Sequence, residues 1–192
     1  MTESDKSRSR LHPEMLVGIS AVVIGVCALG VSLYETSLMR EEQRAAVIPL
    51  VELSRSYYLE EGEDGSENLR LIFNLENVGI GPARIQDFRV TVDGEPQPTW
   101  RAAMNTLLGE DVTATYVQST INGRTIPVDR RVSMFDLRDS SIAQRMLADF
   151  ERLDFSACYC SVFDECWQTS YRTFGAATEV ESCESSVDSF TE

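Results

Sequence analysis

The residues with the most distinctive chemistry are four cysteines near the C-terminus, Cys158, Cys160, Cys166 and Cys183. Cys158 and Cys160 are two positions apart, so on a β-strand their side chains point to the same side. Five residues separate Cys160 from Cys166, which suits a disulfide across a turn between two strands. A Cys158–Cys183 disulfide would then fasten the C-terminal tail to the sheet. Four cysteines allow three pairings, and the spacing does not choose between them.

Zinc binding and free thiols are the alternatives to disulfides. Zinc sites usually pair cysteines that have two to four residues between them and often include histidine, and the cysteines here show neither feature. The chain has no Cys-x-x-Cys redox pair, which leaves buried free thiols as the third possibility. Disulfides need an oxidising compartment, so this choice predicts that the C-terminal part of the chain is exported.

Other catalytic side chains are scarce. The only histidine is His12 and the only lysine is Lys6, so the rest of the chain has no Ser-His-Asp or Cys-His mechanism and no Schiff-base lysine. The acidic turn at 60–68 is predicted to be a solvated loop, because Gly62 and Leu71 stand where a calcium-binding EF-hand loop has ligands. We therefore predict no catalytic residue, cofactor or metal. A carboxylate-dependent enzyme is the alternative, although no spacing singles out two acids.

The net charge of −14 is concentrated in one part of the chain. Residues 1–34 sum to zero, whereas residues 35–192 contain 14 arginines, no lysine and 28 acids. This surplus of acids argues against a nucleic-acid partner, which requires cationic side chains. In a domain outside the membrane, the same charge would repel anionic lipid headgroups and favour a position away from the surface.

Residues 15–34 form an uncharged apolar segment. As a helix, 20 residues extend for about 30 Å, the hydrocarbon thickness of a bilayer. A cleaved signal peptide is the alternative, but its apolar core is usually about 7–15 residues long. We therefore predict a single-pass signal anchor, preceded by a tail at 1–14.

The basic residues that flank this segment predict its orientation. Three lie on the N-terminal side together with the α-amino group, and two lie on the C-terminal side: Lys6, Arg8 and Arg10, against Arg40 and Arg44. Basic flanks stay preferentially in the cytoplasm, so the tail is predicted to be cytoplasmic and the C-terminal domain to lie on the other side of the membrane. A cytoplasm-facing domain with reduced cysteines is the alternative.

Small residues recur along one face of the predicted membrane helix, at spacings of three and four: Gly18, Ala21, Gly25, Ala28 and Ser32. Small side chains let two helices approach closely in lipid, where packing drives association. The stripe therefore predicts possible self-association through the membrane helix.

Residues 35–46 are rich in helix formers and predict a helical stalk, which Pro49 should end. Residues 47–174 then show alternating apolar and polar positions, typical of half-buried strands, at 47–58, 69–76, 84–92, 131–137, 155–162 and 167–174. Strands at 113–121 and 124–128 around Asn122-Gly123 predict a hairpin. Helices are predicted at 99–108 and 139–153, and 175–192 is predicted to be an acidic, Ser-rich tail. The pattern indicates an antiparallel, immunoglobulin-like β-sandwich with one or two short helices.

The strand connection at 77–85 has the sequence NVGIGPARI, with Asn77, Gly79, Gly81, Pro82 and Ala83 as its distinctive residues. The two glycines permit positive φ or a close backbone approach, and Pro82 restricts the chain as it leaves. A dinucleotide-binding loop is excluded because a strand follows and the third glycine is missing.

This segment resembles the Asn-x-Gly-x-x-x-Ala signature of CARDB-like, immunoglobulin-like modules found in bacterial extracellular proteins. Together with RAAVIP at 44–49 and CYCSVFDECW at 158–167, it is similar to a family of bacterial N-terminally anchored, single-pass membrane proteins. The resemblance implies a bacterial inner membrane as the location, with the C-terminal domain in the periplasm, and an immunoglobulin-like fold, but no activity. The expected function is therefore an anchored interaction or structural module with an envelope protein as partner.

Overall fold

In this computed structural model the described residues are 13–61, 65, 67–109, 111–173, 176–184 and 190–191. Most of the predicted cytoplasmic tail, with Lys6 and His12, and residues 62–64 and 66 of the acidic turn at 60–68 lie outside them. The chain forms two compact units that divide between Ala45 and Ala46. Each unit is described by itself.

The first unit is a single helix, α1, over Pro13–Ala45. It is the one helix among the described residues that is long and apolar enough to cross a membrane. Its 33 residues extend for about 50 Å. The apolar segment and the polar stretch after it therefore form one continuous helix, which ends four residues before Pro49.

The second unit is a β-sandwich of two antiparallel sheets with few short helices. The first sheet has the order β1-β2-β7-β5, with bounds Val51–Glu61, Glu67–Asn77, Arg130–Leu137 and Tyr116–Gln118. The second has the order β10-β9-β8-β3-β4, with bounds Thr178–Val180, Cys166–Ser170, Leu153–Cys160, Ala83–Val92 and Glu95–Gln97. The short β6, Thr125–Ile126, pairs with the start of β3. The predicted fold class is confirmed at this level.

The core between the sheets is centred on aromatic side chains. Phe73 of β2 lies 5.5 Å from both Phe135 of β7 and Trp100, and 5.1 Å from Phe155 of β8, measured between ring centroids. Trp100 enters the core from helix α2, Trp100–Leu108. The Thr99 hydroxyl accepts a hydrogen bond from the Ala102 N–H and caps this helix. Burial of these rings contributes to the stability of the sandwich.

The predicted helix at 139–153 is too long. Helix α3 covers Ser140–Ala148 and a 3₁₀ turn follows at Phe150–Arg152. β8 begins at Leu153, which pairs with Val92 of β3. Pairing with β3 therefore places Leu153 in the sheet rather than in the helix.

The predicted hairpin around Asn122-Gly123 is also wrong. β5 and β6, on either side of it, join different sheets. Gly123 does make a turn, with a φ of 75°. However, the Gly123 N–H donates to the Ile85 carbonyl and the Ile85 N–H donates to the Arg124 carbonyl, so the turn is hydrogen-bonded to β3.

The segment predicted as an acidic tail contributes to the sandwich. β10 pairs with β9, and Phe190 is buried against Trp100 and Phe88, with centroid distances of 5.2 and 5.5 Å. The predicted boundary at 174/175 therefore lies inside the folded unit. Phe174, the end of the last predicted strand, is not among the described residues.

Candidate interaction surface

The four cysteines of the second unit form two disulfides. Cys158 is bonded to Cys183, 25 residues away, and Cys160 to Cys166, six residues away. The first bond attaches the C-terminal segment to β8, and the second joins β8 to β9 beside their connecting turn. The Cys160 and Cys183 sulfurs are 3.7 Å apart, so the disulfides are neighbours. Bonded sulfurs have no thiolate to offer a metal ion. Cys27 is the one free cysteine among the described residues.

The Asn77 side chain holds together the loops where the chain enters the β-sandwich. It is fully buried at the end of β2. Its Oδ1 accepts hydrogen bonds from the N–H groups of Gly79 and Leu50, at 3.1 and 3.3 Å. Its Nδ2 lies within donor distance of the carbonyls of Gly81, Ile126 and Pro127, at 2.8, 3.0 and 3.3 Å. One neutral amide thus satisfies backbone groups from three separate segments of the chain.

Gly79 and Gly81 are needed because two stretches of backbone pass very close to each other. An added Cβ at Gly81 would lie 1.9 Å from the Val47 carbonyl oxygen, and one at Gly79 would lie 2.3 Å from the Leu50 nitrogen. Real Cβ atoms do not come this close to a non-bonded backbone atom. Of the two explanations that the sequence left open, close approach is the one found, since neither glycine has a positive φ. Pro82 follows, and Ala83 is buried as the first residue of β3.

The small residues of the predicted packing stripe all lie on α1, where they are exposed. An added Cβ at Gly18 or Gly25 would meet nothing within 4 Å. Self-association through this face therefore stays a prediction.

One open cleft brings together acids of the kind that a carboxylate mechanism would need. Asp93, Glu151 and Asp154 line it together with Arg152. The hydrogen bonds from Arg152 hold the pKa of Asp93 below its usual value, whereas burial raises the pKa of Asp154. Asp154 Oδ1 is buried without a hydrogen-bond partner. Two carboxylates with pKa values displaced in opposite directions are a pattern that acid–base sites share.

The outer part of the β1–β2 hairpin presents a different kind of surface. We call residues 57–61 and 67–71 the ribbon; they pair from Tyr57↔Leu71 to Glu61↔Glu67. β7 pairs with β2 only from Leu71 onward, so most of the ribbon is two-stranded. β1 is an edge strand, and no described strand pairs with its outer side.

Apolar side chains occupy one face of β1 as far as the ribbon, except at Arg55. Val51 and Leu53 are buried, and Tyr57 and Leu59 occupy the same face because alternate residues share a face. Tyr57 and Leu59 are nevertheless 60% and 64% exposed, whereas their β2 partners Leu71 and Leu69 are buried. An exposed apolar edge strand is a template for pairing with another chain.

Charged side chains surround the apolar part of the ribbon. Glu60, Glu61 and Glu67 are exposed. Arg70 bridges Glu60 and Asp136, with nitrogen–oxygen distances of 3.0 and 2.7 Å. This surface was not predicted from the sequence. The signal that would have indicated it is the apolar alternation of β1, which resumes after Arg55 and continues beyond the core to Leu59.

Comparisons with known protein families, with curated proteins and with solved structures find no match for this chain.

Proposed function

We propose that the protein is a single-pass inner-membrane protein whose β-sandwich lies in the periplasm and recognises another envelope protein. The observation that carries the proposal is a helix long enough to span a membrane, joined in one chain to a sandwich with two disulfides. Disulfides persist in an oxidising compartment, and the basic residues before the helix favour a cytoplasmic N-terminus. The proposal also takes the sandwich to be immunoglobulin-like and the chain to belong to the family of anchored membrane proteins that its sequence resembles.

Topology is tested by fusing reporters to the C-terminus of the full chain. A phosphatase that folds only in the periplasm should be active, and a fluorescent protein that folds only in the cytoplasm should be dark. Non-reducing mass spectrometry of the membrane fraction should recover the Cys158–Cys183 and Cys160–Cys166 peptides, and a Cys27→Ser variant should leave them unchanged. A cytoplasmic C-terminus with free thiols would overturn the proposal.

The ribbon is the recognition surface in this proposal. Its unpaired β1 edge supplies backbone donors and acceptors, and Tyr57 and Leu59 supply apolar contacts. The neighbouring Glu60, Glu61 and Glu67 favour a basic partner. The occupant is therefore an extended segment of a partner protein that alternates basic and apolar side chains and adds a strand to β1.

Peptide binding to the full chain in lipid nanodiscs tests this surface. The probe is an eight-residue peptide alternating lysine and valine, and the matched control alternates glutamate and valine. We expect at least tenfold tighter binding of the lysine peptide by fluorescence anisotropy. Leu59→Pro, which removes a backbone donor from the edge, should abolish binding, whereas Leu59→Ser should only weaken it. Equal binding of the two peptides, or full binding by Leu59→Pro, would refute the assignment.

A carboxylate-dependent envelope enzyme is the second candidate, favoured by the cleft that contains Asp93, Glu151 and Asp154. Hydrolysis of chromogenic aryl glycosides by the purified full chain tests it. Activity that is lost in Asp154→Asn but kept in Asp111→Asn, an exposed acid outside the cleft, would support this candidate over the first.

A further inference from the structure

Exposed apolar side chains are concentrated where the chain enters the β-sandwich. We call this region, formed by residues 46–50, 78–82, 127–129 and 161–165, the entry end. Among the described residues from 46 onward, eleven large apolar side chains are exposed. Seven of them belong to the entry end: Ile48, Leu50, Val78, Ile80, Val128, Val162 and Phe163.

The segments of the entry end are neighbours in space. The Ile80 N–H donates to the Ile48 carbonyl at 3.0 Å, and the Val78 N–H donates to the Leu50 carbonyl at 2.8 Å. Asn77 bonds the carbonyl of Pro127, next to Val128. Arg84, just after the second segment, forms an ion pair with Asp164 in the fourth. The exposed side chains therefore lie on one end of the sandwich, of the kind that marks an interaction site.

Charge at the entry end differs from charge elsewhere in the unit. Residues 46–192 contain 12 arginines and 25 acids. The residues beside the entry end are 83–84, 124–126 and 130–133. Together with the entry end they contain four arginines and three acids: Arg84, Arg124, Arg130 and Arg131, and Asp129, Asp164 and Glu165. A second copy, which is itself acidic, would meet the least repulsion on approaching here.

We propose that the entry end is the interface of a two-fold symmetric homodimer, with Ile80 and Phe163 at its centre. Two copies anchored in one membrane present this end from the same side, and anchoring raises their effective concentration. The mixed charges allow an arginine of one copy to meet an acid of the other. The inference rests on the proposed function only in requiring that α1 anchors both copies in one membrane.

Photo-crosslinking of the full chain in native membranes tests the dimer. p-Benzoylphenylalanine in place of Phe163 or Ile80 should give a covalent dimer on denaturing gels, at least fivefold more than the same probe in place of Leu59 on the ribbon. Ile80→Asp should reduce the adduct from position 163 at least fivefold, and the matched exposed change Tyr58→Asp should leave it unchanged. Non-reducing mass spectrometry showing both disulfides in each variant establishes that the fold is retained.

The outcomes separate this inference from the proposed function. If alkaline extraction leaves the protein in membranes but positions 163 and 80 give no more dimer than position 59, the homodimer is refuted and the anchor stands. Adducts to lipid or to a different protein at these positions refute it as well. If Gly25→Leu on α1 removes the adduct while Ile80→Asp does not, the membrane helix alone makes the dimer and the proposed interface falls.

Discussion

The two ends of the β1–β2 pair differ in which groups form hydrogen bonds with their backbone N–H and carbonyl groups. At the entry end, Asn77 bonds backbone groups of several loops, and Gly81 lies so close to Val47 that no side chain fits between them. At the ribbon, the same two strands pair with each other, and among the described strands β7 joins β2 only from Leu71 onward and none pairs with the outer edge of β1. One backbone group there bonds elsewhere, because the Leu69 N–H donates to the Ser140 hydroxyl. The difference indicates that hydrogen bonds tie one end of the hairpin to neighbouring loops, whereas the other end presents a strand edge that no described strand covers.

If this comparison is right, substitutions at the entry end should cost far more stability than substitutions on the ribbon. Gly81→Ala is the most severe test. Its Cβ would overlap the Val47 carbonyl oxygen, which is backbone and cannot move without disrupting the entry loops. We expect a loss of more than about 4 kcal/mol, and hence little folded protein. Urea denaturation of the full chain, followed by the fluorescence of the buried Trp100, measures it. Leu59→Ser on the ribbon is the control, with an expected change below about 0.5 kcal/mol.

Asn77→Ala tests whether the buried amide organises the entry end. The change leaves backbone groups of Gly81, Ile126 and Leu50 without partners in a buried place, and it creates a cavity. We expect a loss of about 4 kcal/mol. Asn74→Ala is the matched control on the same strand, because among the described residues the Asn74 side chain donates one hydrogen bond, to Ser56. Similar losses in the two variants would show that Asn77 is an ordinary buried amide.

The disulfides extend the comparison, because both are attached to β8 of the second sheet and neither includes a residue of the ribbon. In the chain-entropy view a longer loop gains more from closure. Removing Cys158–Cys183, with a separation of 25, should cost about 3.5 kcal/mol, and removing Cys160–Cys166, with a separation of 6, about 2 kcal/mol. Paired Cys→Ser variants and urea denaturation measure the two losses. A larger loss from the short loop would mean that native contacts, rather than loop length, set the effect.

The features that were predictable from the sequence are those with a local signature. Alternation at 69–76 and 84–92 predicted β2 and β3 to within two residues, because side chains on a strand report the buried face directly. The apolar residues of 99–108 recur with helical spacing and predicted α2, because side chains on a helix likewise mark its buried face. The cysteine spacing limited the pairings but did not select one, since selection depends on which strands are neighbours.

The features that were not predictable depend on residues far apart in the chain. Asn122-Gly123 indicates a local reversal, but the hydrogen bonds that place it come from Ile85 on β3. The polar composition of the tail gave no indication that it packs on the core, yet the side chain of Phe190 packs against Trp100. Likewise, Asn77 marked a loop in the sequence, whereas its role depends on carbonyls 49 and 50 residues away.

The smallest expected effect concerns the charged pair that supports the ribbon. Arg70 lies on the ribbon, and its Nη2 is 2.7 Å from an Asp136 oxygen on β7. The hydrogen bond from Arg70 holds the pKa of Asp136 below its usual 3.8. Because the pKa is lowered in the folded state, the pair stabilises the protein above pH 3.8. That stabilisation is lost as the pH falls below 3.8 through the folded-state pKa.

Asp136→Asn should therefore cost about 2 kcal/mol at pH 7, between the values for exposed and buried pairs, because Asp136 is largely buried while Arg70 is partly exposed. The difference from the wild type should shrink between pH 4 and pH 2, measured by urea denaturation across that range. Asp93→Asn, which breaks the more exposed pair with Arg152, is the control and should cost less. A pH-independent difference would mean that Asp136 acts through packing rather than charge. The ribbon would then be held, like the entry end, by neutral contacts, and the contrast between the two ends would reduce to the unpaired edge of β1.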